Sequence, residues 1–459
     1  MNGRILPVGK QDFEEIRQKN MVYVDKTRYV WDLTRTSIPY FLSRPRRFGK
    51  SLFTSTLECY FRGKKELFEG LYIYDKENAR GKNAWTEYPV IAFYLSSGEF
   101  NEPDGMSDIL NGVLENCINE YGLHDKYAIS GKTLTMRFRN VIMNLYNKTG
   151  REVVILVDEY DKPLLDTMYS NPEQEEKNRS LYKSFFSALK DMDRYLRFVF
   201  FTGITKFTKV SIFSDLNQLD DISLDNDADG ICGITEDELL DNFQPEITKL
   251  AETQGLTNDE CIERLRQMYD GYHFSEYGVG VYNPFSLLNA FSKRRFKRYW
   301  FGSATPEILI KKLQDSDIPL SRIGEDVDAT EEELEDYTPE NGNPIPLFYQ
   351  TGYLTICGYD PEFELYSLEF PNDEVKYGFM NSLVPYVLGV RNAENPVSLR
   401  YMFMDLKNGK PESFINRLMA LLGGIAYPEG ARPEYEGEWS RQIYLIMTLL
   451  GAHAQTEIH

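Results

Sequence analysis

The 459-residue sequence has no apolar run near the roughly 20 residues a membrane span needs. Its first residues, Met1 to Gly9, lack the apolar stretch of a secretory signal. Both absences predict a cytoplasmic protein with no membrane partner. Cysteine is scarce. Five residues (Cys59, Cys117, Cys232, Cys261, Cys357) are scattered without C-x-x-C spacing. That argues against a disulfide framework and for free thiols in a reducing compartment. The four histidines (His124, His273, His453, His459) show no metal-ligand spacing, which argues against zinc. Basic residues are in deficit, with a formal net charge of -20 at pH 7. Such a chain does not coat nucleic acid non-specifically.

What is present fits a soluble globular protein of two or three domains, with 42% hydrophobic and 27% charged residues. Two basic clusters stand out. One is Arg44, Arg46, Arg47 and Lys50; the other, Lys293 to Arg298, reads as a solvated helix face. The first cluster lies in the stretch Tyr40 to Thr56. Here an apolar strand-like run, Ile38 to Leu42, meets a short loop ending in Gly49-Lys50-Ser51, and a helical segment follows from Leu52 to Phe61. Strand, loop, Gly-Lys-Ser, helix is the setting of a phosphate-binding loop. Backbone N–H groups at a helix N-terminus attract an anion. Lys50 is then the residue for the β/γ-phosphates, and Ser51 a ligand for Mg²⁺. The pattern G-x-x-x-x-G-K-S has glycine where this chain has Arg44. If that position requires a positive φ, the loop must take another path.

The chain supplies a second half of such a site. Glu152 to Glu159 is a doubly buried strand ending in Asp158-Glu159. Asp158 fits a Mg²⁺-orienting role and Glu159 a water-activating one. The plainer reading is a buried strand with two solvated acids. Arg197 to Thr205 is another apolar strand, ending in hydroxyls; Thr202 and Thr205 are candidates for sensing a γ-phosphate, or ordinary strand-end hydroxyls. Tyr88 to Leu95 reads as a strand, Met106 to Tyr121, Leu134 to Tyr146 and Leu181 to Asp191 as helices, and Met21 to Thr27 as a short strand before a helix capped by Thr27. Alternating β and α predicts an α/β parallel sheet covered by helices. The extra strand between lysine and Asp-Glu, and the glutamate itself, point to P-loop proteins with a catalytic glutamate.

Beyond the sheet, Asp215 to Gly230 reads as loop. Thr235 to Glu238 and Thr257 to Glu260 are capping boxes, and Asn283-Pro284 starts a further helix. Glu325 to Glu340 is acid-rich and reads as a mobile linker. The apolar stretches Leu347 to Ile356 and Phe363 to Phe370 suggest a hairpin, and so a winged-helix-like arrangement. Glu438 to Leu450 reads as a helix, and Ala452 to His459 begins something strand-like and ceases, as if cut inside a domain.

Several motifs together carry a resemblance. They are Leu6-Pro7-Val8-Gly9, Tyr23 to Thr27, Arg44 to Ser51, Val157 to Pro163, Thr202 to Lys206, Tyr269 to Tyr272, Tyr282 to Pro284, Gln350 to Ile356 and Pro371 to Val375. Over nearly its whole length the chain resembles bacterial AAA-ATPase-like proteins with a C-terminal PD-(D/E)xK nuclease-superfamily domain. The resemblance implies that Arg44 is a family trait. It implies Lys50 and Ser51 as the phosphate and Mg²⁺ residues and Asp158-Glu159 as the strand end. The candidate site is then Arg46, Arg47, Phe48, Gly49, Lys50, Ser51, Leu52 and Thr202 for the nucleotide, Ser51 and Asp158 for Mg²⁺, and Glu159 with Lys50 for catalysis. The resemblance divides the chain into a P-loop domain (1–232), a helical and winged-helix-like region (233–385), and a linker with the start of a truncated nuclease-like domain (386–459). That start resembles Tyr435 to Gly451, with Glu436 or Glu438 as its helix acid. The nuclease Asp and Glu-x-Lys do not follow, so nuclease activity is not expected. The expected function is an ATP-binding, ATP-hydrolysing module controlling an attached nuclease-like domain. Alternatives are a non-hydrolysing nucleotide switch, a protein-interaction module, or a DNA-binding component. A homo-oligomer, and DNA bound through the longer C-terminal domain, are further candidate partners.

Overall fold

The computed structural model describes residues 4–123, 131–168, 170–206, 219–303, 306–314, 316, 327–335, 342–387, 401–402, 404–406, 408–423, 443 and 446–447. Its centre is a five-stranded parallel sheet. The strands are β1 (Tyr40–Ser43), β2 (Val90–Tyr94), β3 (Val153–Asp158), β4 (Leu196–Gly203) and β5 (Asp220–Asp221), in the order β2-β3-β4-β1-β5. Every residue of β3 is buried, as its unbroken apolar run requires of a strand covered on both faces. Aromatic rings from helix Lys50–Phe61 and the strands interlock, as in Phe53 with Phe200 at 5.8 Å. The order puts β4 between the loop strand β1 and the Asp-Glu strand β3. The carboxyl ends of all three therefore open on one edge, where ligands bind in open α/β sheets.

The helices of the second half form their own core, from Ile234 to Phe291. Thr235 and Thr257 complete both capping boxes at the helices Glu236–Gln254 and Asn258–Tyr269. Two short strands, β6 (Ile234–Thr235) and β7 (Val281–Tyr282), pair antiparallel beside them. Leu6, Val8, Val22 and Val24 pack on this core, so the N-terminal segment spans both halves. A partly buried ion pair, Lys26–Glu238 at 2.6 Å, joins the same two parts.

Several sequence-based expectations change here. Residues Met21 to Thr27 form no strand beyond a bridge of Met21 with Ile5. Asp25, not Thr27, supplies the local side-chain acceptor, taking the Thr27 N–H and hydroxyl at 2.8 and 2.7 Å. Helix Pro172–Phe186 begins earlier than expected, because Asn171 caps it and Pro172 fits its first turn. The expected linker contains β8 (Val327–Thr330) and helix Glu331–Glu335. Residues Ile345–Gln350 are helical rather than extended. The hairpin is β9 (Thr355–Asp360) with β10 (Leu365–Glu369), and β8 joins it in a three-stranded antiparallel sheet. The basic cluster at 293–298 is a helix end rather than a helix face: Pro284–Lys293 stops at Arg294, whose φ is 52°. Apart from residues 443, 446 and 447, the expected elements at Glu438–Leu450 and Ala452–His459 lie outside the described residues, as do Glu436 and Glu438. No helix among the described residues is long and apolar enough to cross a membrane.

Candidate functional site

The loop from Arg44 to Gly49 joins β1 to helix Lys50–Phe61. Gly49 precedes the helix at φ 104° and offers no side-chain cap. The first N–H groups of the helix therefore lack a side-chain acceptor, which leaves them available to an anion. Arg44 has no positive φ; the left-handed residues of the loop are Arg47 (φ 69°) and Gly49, so the loop does take another path. Arg44 points away from the cleft and is 1% exposed. Its guanidinium donates to the carbonyls of Ser43 and Ser223 at 2.8 Å and of Ala228 at 3.1 Å, and lies 4.1 Å above the Phe274 ring. The arginine in the glycine position is thus a buried tie between the loop and two distant segments.

Lys50 is buried, and its ammonium donates to the Arg44 and Pro45 carbonyls at 2.8 and 3.0 Å. Burial pulls its pKa down, while Asp158, Asp161 and Glu159 oppose that shift. The Ser51 side chain favours the charged form of the Asp158 carboxylate at the end of β3. Burial pushes the Asp158 carboxyl up to about 6, against the pull of Ser51 and of the Lys50 charge. One Asp158 oxygen, Oδ1, has no partner among the described residues. An orphaned buried carboxylate oxygen beside a serine hydroxyl suits a hard cation held by few protein ligands. No group of three or more His, Cys, Asp or Glu among the described residues makes a full metal cage.

Glu159 follows directly, with φ 54°, a strained conformation for a residue with a side chain. Two clamps hold this bend. The Tyr160 N–H donates to the Thr202 carbonyl at 3.1 Å, and its hydroxyl to the Thr205 carbonyl at 2.6 Å. Asp161 Oδ2 accepts the N–H groups of Ile204 and Thr205 at 2.9 and 2.7 Å. The ends of β3 and β4 are therefore fastened together.

These elements enclose a cleft of about 360 Å³. Arg46, Arg47, Gly49, Lys50, Ser51 and Leu52 line it from the loop and helix. Glu159 and Asp161 line the opposite edge, and Asp161 had no role assigned from sequence. Its signal was the short spacing Asp158-Glu159-Tyr160-Asp161. Asp158 sits behind Ser51 and is 1% exposed. Phe48 turns into the core against Tyr272, with ring centroids 4.6 Å apart. Thr202 is buried beside Asp158 in register, off the cleft wall, and its hydroxyl has no partner among the described residues. The remaining walls come from Pro7, Gly9, Lys10 and Gln11, from Ser96, Lys162, Leu165 and Ile204, and from Pro284, Phe285 and Leu288.

Residues 7–213 match the AAA-ATPase-like family, described as "Predicted AAA-ATPase". The chain also aligns over 471 positions, at 34% identity, with "Uncharacterized protein in vnfD 5'region" of Azotobacter chroococcum mcd 1. The alignment covers 100% of this chain and 85% of that protein. The chain belongs to the AAA-ATPase-like family. The cleft of this AAA-ATPase-like protein extends past the family match, since Pro284, Phe285 and Leu288 lie beyond residue 213.

Proposed function

We propose that the cleft binds ATP with Mg²⁺ and hydrolyses its terminal phosphoanhydride. The observation that carries this is the buried Asp158 carboxylate, one oxygen of it without a partner among the described residues, behind Lys50 and Ser51 at the head of an uncapped helix that lines the cleft. Lys50 leaves the Arg44 and Pro45 carbonyls for the β- and γ-phosphate oxygens. Ser51 and Asp158 would hold Mg²⁺, which would supply charge neutralisation at the triphosphate. Glu159 accepts a proton from the attacking water as its oxygen bonds to the γ-phosphorus. The bond to the β–γ bridging oxygen breaks, and the electron pair leaves with ADP. Arg46 and Arg47 on the cleft wall add positive charge near the phosphates.

The test is phosphate release from Mg²⁺-ATP. Glu159→Gln keeps ATP binding and lowers the rate by about 10²-fold or more. If wild type binds ATP but releases phosphate no faster than this variant, hydrolysis is refuted and a non-hydrolysing switch remains. Control of an attached nuclease-like domain would extend this reading. Its resemblance falls on residues 435–451, of which only 443, 446 and 447 are described; the proposal therefore stops at the ATPase module.

A further inference from the structure

Each residue from Arg44 to Phe48 touches the chain beyond the family match. Arg44 stacks on the Phe274 ring, and Phe48 packs against Tyr272. The Arg47 guanidinium sits 4.9 Å from the Phe285 ring centroid. A Cβ on Gly352 would stand 2.7 Å from Pro45, so that glycine permits the approach. The Arg46 carbonyl accepts the Trp300 indole N–H at 2.9 Å.

This last contact orients a peptide. The bond between Arg46 and Arg47 is planar, so its carbonyl and N–H point in opposite directions. Trp300 is 2% exposed and does not line the cleft. With the Arg46 carbonyl drawn to Trp300, the Arg47 N–H is turned away from Trp300; Arg46, Arg47, Gly49 and Lys50 line the cleft, and Trp300 does not. A glycine-rich loop reaches such a path through its own backbone freedom. Here Arg47 carries a side chain at φ 69°, a strain that persists only when neighbours over-determine it. Trp300 is itself held from two helices. Its backbone N–H donates to Ser286 Oγ at 3.0 Å and to Glu374 Oε1 at 2.8 Å. Ser286 follows the cleft residue Phe285, and Glu374 is in the first turn of helix Asp373–Val387.

We propose that Trp300 is a positioning residue of the nucleotide site. Its indole N–H fixes the Arg46–Arg47 peptide so that the Arg47 N–H faces the phosphates. The same residue carries the loop's position to helix Asp373–Val387 through Glu374. This inference rests on the nucleotide-binding reading and adds residues outside the family match to that site.

The test compares full-length wild type and Trp300→Phe, which keeps most of the ring's bulk and removes the N–H. Folding is checked by thermal unfolding, and Mg²⁺-ATP affinity by calorimetry. The expected result is an affinity loss of about tenfold, seen as a raised KM with kcat within about twofold of wild type. A tryptophan that only fills the core would shift Tm and leave KM unchanged. A folded Trp300→Phe with wild-type affinity overturns the proposal. Should that variant not fold, hydrogen exchange on wild type decides. Mg²⁺-ATP then alters exchange at residues 299–303 and 373–378 as well as at 44–51. Protection confined to 44–51 overturns the proposal. If wild type binds no Mg²⁺-ATP, the nucleotide reading itself fails, a separate outcome from either of these.

Discussion

Asp158→Asn should make the ligand-free protein more stable while destroying its metal-dependent function. Asp158 is 1% exposed, and burial raises its carboxyl from the ordinary 3.8 to about 6 even with Lys50 and Ser51 pulling the other way. Each pKa unit corresponds to about 1.4 kcal/mol, so the charged form at pH 8 carries a net penalty of ~3 kcal/mol in the folded state. Asparagine mimics the protonated carboxyl in shape and charge. The sign follows from the raised folded-state pKa: this group's contribution is most favourable below pH 3.8 and is lost as pH rises through about 6. The stability gain from Asp158→Asn is therefore ~3 kcal/mol at pH 8, falls to about half at pH 5, and vanishes near pH 3. Urea unfolding without nucleotide or Mg²⁺ at pH 8 and pH 5 measures it. Adding Mg²⁺-ATP at about 100 times its Kd should stabilise wild type by about 2.7 kcal/mol and the variant far less. A variant no more stable than wild type at pH 8, or equally stabilised at both pH values, refutes the argument that a buried charge awaits its cation.

Two further substitutions probe the supports of the site. Arg44→Gly moves the loop toward the common G-x-x-x-x-G-K-S pattern, yet it should destabilise the protein by about 3–5 kcal/mol and abolish Mg²⁺-ATP binding, because the Ser223 and Ala228 carbonyls lose their donor; improved binding in a calorimetric titration would contradict this. Gly203→Ala places a Cβ 2.6 Å from both Asp161 Oδ1 and the Tyr160 ring, so it should lower stability by about 1–3 kcal/mol and slow phosphate release; unchanged melting and turnover would show that the β3–β4 clamp is not tight.

The parts of the fold legible in sequence were those governed by local or face-wide burial. β3 and β4 are enclosed by helices, so their runs are continuously apolar. Thr235 and Thr257 act within one turn of chain, so their capping boxes could be read directly. β8 was missed because the acid-rich composition around it outweighed a four-residue alternation, with Val327 and Ala329 inward and Asp328 and Thr330 outward. The helix Ile345–Gln350 was missed because its apolar residues carry no period over so short a span. At the cleft, Lys50, Ser51 and Glu159 were named from short motifs. Arg44 kept an open question because its partners Ser223, Ala228 and Phe274 are remote in sequence and no spacing rule points to them. Phe48 was grouped with the nucleotide residues by its place in the motif; its ring faces the core, which only the packing of Tyr272 and Phe274 decides.

The charges at the site explain why the loop can be bulky at all. The chain carries a net charge of -20, which opposes an anionic ligand wherever screening is incomplete. Lys50 alone faces three carboxylates, Asp158, Asp161 and Glu159, and these offset the attraction it would exert on a triphosphate. Arg46 and Arg47 on the cleft wall restore a positive surface there. Placing them in the loop replaces the small residues that let such a loop shape itself. The shape must then be imposed from outside, by Arg44 on the Ser223 and Ala228 carbonyls and by Trp300 on the Arg46 carbonyl. The extra cations and the outside supports are thus two sides of one requirement, which ties the phosphate loop to residues more than 150 positions downstream.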